Sequence, residues 1–251
     1  MELTMVQLIL LCMCALMVGV SKTGIPNLGT LVAAILAVMF PAKASIGILL
    51  PMLLTADLVA VITYRHTVIW RLLVKLIPWV LAGIVMGYFT LGQIDNHQLS
   101  LIIGVIVITL IVVHLLKDPL EARFQLKWSQ STTFHHVLGV LAGFTTMVGN
   151  AAGGIMAIYF LAKGLKKKEF MGTGAWFYLG VNLLKVPFSM DLGLITTRTL
   201  VWNMWMIPLI LLGTYIGIRL LKVIPERLFQ TLILLFAGIG GVWLLVQGWI
   251  I

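Results

Sequence analysis

Leu101 to Val113 and Leu200 to Ile218 each run without a single charged residue. Stretches of that kind leave few solvents open to a chain. Charged residues make up only 10% of the 251 positions and hydrophobic residues 61%, and the mean hydropathy is +1.11. A water-soluble domain carries roughly 25% charged residues. So little polar surface cannot cover so much apolar surface, and the bilayer is the expected solvent. The expected fold class is an all-α polytopic membrane protein, because irregular backbone at membrane depth is tolerated only where protein or a cavity satisfies its polar groups. No polar stretch is long enough to fold by itself. The first apolar run carries Glu2 and no preceding Lys or Arg, and no small-x-small cleavage site follows it. It is therefore expected to belong to the mature protein rather than to a signal peptide.

Charges, prolines and glycines divide the chain into ten hydrophobic segments, roughly 3–20, 27–40, 44–64, 69–91, 98–116, 131–148, 151–163, 170–190, 198–221 and 228–250. A full span needs about 17–25 residues, so the second and seventh are short. With connections alternating between the two sides, one side receives Lys22, Arg65, Arg71, Lys75, Lys117, Arg123, Lys127, Lys163, Lys166 to Lys168, Arg219, Lys222 and Arg227, which is 14 of the 17 Lys and Arg. Lys43 and Arg198 fall on the other side, and Lys185 lies within a segment. The positive-inside rule makes the rich side cytoplasmic and puts both termini outside. The net charge of +9 is thus that of cytoplasmic loops, and no nucleic-acid partner is expected. The run Lys166 to Glu169 is such a loop and could touch anionic lipid.

The chain repeats itself. Shifting by about 125 positions lays Gly24, Gly29 and Gly47 on Gly149, Gly154 and Gly172. A shift of about 130, after an insertion near Asp191 to Thr196, lays Pro78, Gly83 and Gly87 on Pro208, Gly213 and Gly217. Five segments per half is an odd number, so the halves are expected to be inverted repeats, 1–117 and 131–251, joined by a cytoplasmic linker at 118–130. Short or Gly/Pro-interrupted segments at matching places in such halves point to a transporter binding site. Here they are Gly19 to Gly29 and Gly143 to Gly154, each expected to form a broken or re-entrant helix pair opening its half.

These breaks supply the candidate substrate-binding residues Ser21, Lys22, Thr23, Gly24, Asn27 and Gly29, and Thr145, Thr146, Gly149, Asn150, Gly153 and Gly154. Glycine permits unusual backbone angles and close approach of a ligand. Asn27 and Asn150 are expected to cap the short helices that follow, whose free N–H groups favour an anion. Two ionisable groups within segments complete the set. Asp57 has Asn182 as its repeat mate, and Lys185 lies one turn beyond Asn182. Intramembrane charges mark pathways or pairs. Lys185 with Asn182 then reads as an anion ligand and Asp57 as a gate or proton-coupling group; a buried Asp57–Lys185 pair that orients helices is an equal alternative. Pro187 is expected to break its helix.

Cys12 and Cys14 face different ways on a helix and read as small apolar residues. His66, His97, His114, His135 and His136 lack metal-ligand spacing, and no metal or cofactor is expected. Trp128, Trp202 and Trp205 read as interfacial belt residues. No Gly-x-Ser-x-Gly or His-Glu-x-x-His occurs and Asp57 has no carboxylate partner within the segments, so no enzyme is expected.

The doubled architecture, the breaks Gly24 to Gly29 and Gly149 to Gly154, and the stretch Asn182-Leu-Leu-Lys185-Val-Pro187 resemble the TauE/SafE family of membrane permeases over nearly the whole chain. The resemblance implies a secondary transporter of the bacterial inner membrane that moves a sulfite-like or small organosulfonate anion, in a family linked to both export and uptake; export is the direction expected here. One departure stands out: the position matching Lys22 is Met147, so a symmetric two-lysine site is not implied. An anion channel, a permease for another small anion and, more remotely, an intramembrane enzyme are the alternatives. The partners expected are the small anion and the lipid bilayer, with a homo-oligomer left open.

Overall fold

The computed structural model describes residues 4–40, 42–91, 93, 96–115 and 131–250. The expected linker at 118–130 lies outside them, as do Lys117 and Trp128. The described residues form ten α-helices: α1 (Met5–Thr23), α2 (Leu28–Met39), α3 (Ala42–Tyr64), α4 (Trp70–Thr90), α5 (Asn96–Leu115), α6 (Thr132–Gly149), α7 (Ala152–Ala162), α8 (Lys167–Asp191), α9 (Thr197–Val223) and α10 (Glu226–Ile250), with a 3₁₀ turn at Arg65–Thr67. Five stretches are long and apolar enough to cross a membrane: Met5–Thr23, Ala44–Thr67, Trp70–Thr90, Thr197–Val223 and Glu226–Val246. The outer surface is apolar, with Trp205 76% and Trp249 85% exposed. A surface of that kind is stable against lipid, and the chain is a multi-pass membrane protein.

Helix ends are fixed locally. Thr4 and Gln7 form a capping box at the start of α1, and Thr196 and Thr199 form one at the start of α9, satisfying free N–H groups that hydrocarbon would leave stranded. Pro51, Pro78, Pro187 and Pro208 all lie inside helices. The expected break at Pro187 is absent: α8 continues through it to Asp191. Unwinding there would expose several polar groups where the helix loses one bond, so the bilayer favours the intact helix.

Two short helices fold back on the helices before them. The Gln7 side chain near the start of α1 donates to the carbonyl of Met39 at the end of α2 (3.5 Å). At the end of α7, Tyr159 stacks on Phe134 near the start of α6, with ring centroids 6.1 Å apart. Helices α1–α2 and α6–α7 are therefore hairpins, with tips at Gly24–Asn27 and Asn150–Ala151.

Four long contacts assemble the bundle. Helices α3 and α8 run antiparallel. Asn182 meets Asp57 at mid-helix, Thr67 donates to the carbonyl of Lys168 (2.8 Å), and Gly47 lies against the carbonyl of Leu194. Helices α5 and α10 are also antiparallel, Gly104 lying against Leu245 and Gly241 against Ile108. Helices α1 and α9 run parallel, with Gly19 against Ile210 and Gly24 against Gly217; so do α4 and α6, with Gly83 against Val140 and Gly87 against Met147. At Gly19, Gly24, Gly47 and Gly83 the neighbouring backbone fills the place of the missing Cβ, and at Gly87, Gly104 and Gly241 side chains of the neighbouring helix crowd it, the small-residue packing that replaces the hydrophobic effect between helices in lipid. The matched glycines Gly83/Gly213, Gly87/Gly217 and Gly47/Gly172 all serve such contacts.

Candidate functional site

The tips of the two hairpins meet α8 around a cavity of about 60 Å³. One water takes up about 10–15 Å³ of such space, so the cavity suits an ion of a few heavy atoms.

Each tip turns on an asparagine in the left-handed region, Asn27 at φ 71° and Asn150 at φ 53°. Asparagine and glycine enter that region at lower cost than other residues. The capping role expected for these asparagines is not what their side chains do. Asn27 makes no side-chain cap bond to α2; its amide donates to the carbonyl of Ile233 in α10 (3.0 Å). Asn150 closes α6 rather than opening α7, and its Oδ1 accepts from Lys185 Nζ. The cap-like bond at α2 comes from Ser21, whose Oγ accepts from the Gly29 N–H (3.0 Å). Asn27→Ala should destabilise the protein by about 2 kcal/mol, combining left-handed strain with a lost buried hydrogen bond. Asn27→Gly should cost about half as much. Equal thermal midpoints for the two variants would contradict this account of the turn.

Of the residues singled out by sequence, Ser21, Lys22, Asn27, Gly29, Thr146, Asn150, Gly153 and Asn182 line the cavity. Asp57 and Lys185, both with no exposed surface, stand behind that lining. Lys22 Nζ lies 2.8 Å from Asp57 Oδ1, and Asn182 donates to Asp57 Oδ2 (2.7 Å). Lys185 Nζ donates to Thr146 Oγ1 (3.3 Å) and to Asn150 Oδ1. Asp57 is thus paired with Lys22, not with Lys185. Lys22, counted above as a loop charge, is only 10% exposed and lies in this cluster. The Nδ2 of Asn150 is buried without a partner, a donor left over beside the cavity.

Other candidates have different neighbours. The Thr23 hydroxyl sits 2.8 Å from the carbonyl of Thr214 and 3.0 Å from that of Gly19, and Gly24 packs on Gly217. Both tie α1 to α9. Thr145 bonds back to the carbonyl of Leu141 (2.7 Å), Gly154 packs on Val107, and Gly149 is the last residue of α6, beside the lining. Sequence does not single out Tyr178, whose ring lies 4.0 Å from Lys22 Nζ, nor Phe170 and Met171, which line the same wall. The signal that finds them is spacing: Met171, Gly174, Tyr178, Asn182 and Lys185 recur every three or four residues along one face of α8. Among the described residues no group of three or more His, Cys, Asp or Glu could hold a metal.

Lys22, hydroxyl and amide donors and the first turns of α2 and α7 therefore line one small cavity, with Asp57 and Lys185 buried behind them. Such a set can hold a small anion; it contains no activated nucleophile with a base. No curated protein and no solved structure matches the chain significantly. The family model described as Sulfite exporter TauE/SafE matches residues 11–244. The chain belongs to this TauE/SafE family of membrane transporters and is not an enzyme.

Proposed function

We propose that the protein is a secondary transporter that binds a small organosulfonate or sulfite-like anion in the cavity between the hairpin tips and moves it by alternating access of two inverted repeats. The observation that carries this reading is the buried set of Lys22, Lys185 and the unpartnered Asn150 amide at the meeting point of two helix starts. Partial positive charge at helix N-termini adds to the two ammonium groups. The family supports a sulfite- or sulfonate-type substrate.

Several features support inverted repeats. The hairpins α1–α2 and α6–α7 hold equivalent places. Exchanging the halves converts the α1–α9 contact into the α6–α4 contact. The antiparallel pair α3–α8 crosses at Asp57 and Asn182, which are repeat mates. On this reading the hairpins are re-entrant, and the site lies near the midplane where the halves meet. The Lys-rich connections face the cytoplasm and both termini lie outside, in a bacterial inner membrane. The cavity wall on α8 extends from Asn182 to Phe170, toward the Lys166 to Lys168 end, which is the access side proposed for this state. Export down the membrane potential would release roughly 2.3 kcal/mol per negative charge per 100 mV.

Ligands that bind only the folded state raise its stability, by about 2.7 kcal/mol at a hundredfold excess over Kd. Sulfite, sulfoacetate and isethionate should each raise the thermal midpoint of the purified protein, while acetate and taurine, which is a zwitterion, should not. A midpoint indifferent to all sulfur anions would contradict the proposed substrate class.

A further inference from the structure

The core around the cavity holds two ammonium groups and one carboxylate. Lys22 already has its counter-ion, Asp57, at 2.8 Å. Lys185 has none. It is fully buried, its hydrogen-bond acceptors Thr146 Oγ1 and Asn150 Oδ1 are neutral, and among the described residues the one Lys or Arg ion pair in this region is Lys22–Asp57. The remaining ionisable group beside the cluster is Tyr178 of α8. The first turns of α2 and α7 carry no ionisable side chain. Helix α9 contributes Asn203 to the interior, bonded to the carbonyl of Ile48, and α10 contributes the carbonyl of Ile233. With both lysines protonated, the empty site therefore has one positive charge in excess. An unpaired buried charge is costly, and a ligand that supplies the missing charge relieves that cost.

We propose that the occupied site is electrically neutral, so that its occupant brings one net negative charge: a monoanion, or a dianion accompanied by one proton. The inference rests on the anion-transport reading above and narrows it to a charge class. In the monoanion case the ligand sits against the unpartnered Asn150 amide and the Thr146–Asn150 lining that Lys185 backs, and the Lys22–Asp57 pair stays intact. In the dianion case one proton from solution binds the Asp57 carboxylate, which releases Lys22 to meet the second negative charge. No covalent bond other than that O–H forms or breaks. Sulfite, which exchanges with hydrogensulfite near neutral pH, would be taken as hydrogensulfite or as sulfite plus a proton, and the two are equivalent in charge.

Titration calorimetry on the full chain in lipid nanodiscs, repeated in buffers of different ionisation enthalpy, counts protons bound with each ligand. Methanesulfonate, a permanent monoanion, should bind without proton exchange and with a Kd independent of pH wherever Lys185 is already protonated in the empty site. Sulfoacetate, a dianion, should bind with uptake of one proton, its Kd rising about tenfold per pH unit. Asp57→Asn raises the excess charge of the site to two, so sulfoacetate should then bind without proton uptake. Its affinity relative to methanesulfonate should rise at least about tenfold. Should Asp57→Asn not fold, Lys185→Gln serves: it removes the excess charge and should abolish methanesulfonate binding. Equal affinities of the wild-type protein for both ligands without proton uptake would overturn the proposal, as would methanesulfonate binding retained by Lys185→Gln. If neither ligand bound the folded wild-type protein, the anion-transport reading itself would fall, and the charge rule with it.

Discussion

Lys185→Ala should weaken sulfonate binding at least about a hundredfold while leaving a folded protein. The two halves of this expectation have one physical source. The amine is fully buried and held by neutral acceptors, so when protonated in the empty protein it is a desolvated charge without a counter-ion. Deleting it removes that penalty; the cost is the lost packing of its four-carbon stem and two orphaned acceptors. These terms oppose each other, so the variant should stay folded, with a thermal midpoint no lower than a modest loss of packing explains. Binding has no such compensation. Removing one partner of a desolvated charge pair typically costs about 2–5 kcal/mol, and ~2.7 kcal/mol is a factor of a hundred. A thermal midpoint and a sulfonate Kd measured on the same preparation separate these effects. A folded variant with wild-type affinity would remove Lys185 from the site.

The second large effect concerns architecture. Gly143→Ala should lower stability by about 3 kcal/mol or more, the upper end of what overpacking costs. A Cβ at this position would collide with the carbonyl of Val80 and press on the backbone of Ile84 at 3.0 Å. The obstacle is backbone of α4, not the flexible end of a side chain, so α4 and α6 must separate along their shared length. The same substitution at Gly180 of α8 is the control. There an added Cβ meets nothing within 4 Å, and alanine should stabilise the helix by roughly 0.5–1 kcal/mol. Thermal midpoints of the two variants should move in opposite directions. A wild-type midpoint for Gly143→Ala would mean that the close α4–α6 contact is absent from the folded protein.

Much of this organisation is visible in the residues. The polar, glycine-rich breaks fall at the hairpin tips because a tight, buried turn needs left-handed backbone and internal bonding, and few residue types supply both. The matched Gly83/Gly213 and Gly87/Gly217 mark helix contacts for an equally local reason, since any side chain there would hold the helices apart. Asp57 and Asn182 could be matched by register alone, and they prove to be hydrogen-bonded to each other.

Pairing across the bundle is less legible. Nothing in the spacing of Lys22, Asp57 and Lys185 says which ammonium takes the carboxylate; three-dimensional packing assigns it to Lys22. The asparagines at the tips fit a capping pattern, yet tertiary partners claim their side chains. Pro187 has a strong local preference for a break, and the solvent overrides it. Tyr178 and Met171 are hidden among many apolar residues of α8, where a large side chain on a membrane helix signals nothing until its face is known.

Counterflow in proteoliposomes tests the central claim most directly. Vesicles reconstituted with the full chain are loaded with unlabelled isethionate and diluted into a trace of labelled isethionate. A carrier with one anion site reachable alternately from either side should drive a transient accumulation of label above its equilibrium level. The overshoot should saturate with internal substrate and vanish in Lys185→Ala. Label that only equilibrates, at a rate linear in concentration, would make the protein a conducting pore, and no protein-dependent flux of any sulfur anion would contradict the transport reading outright.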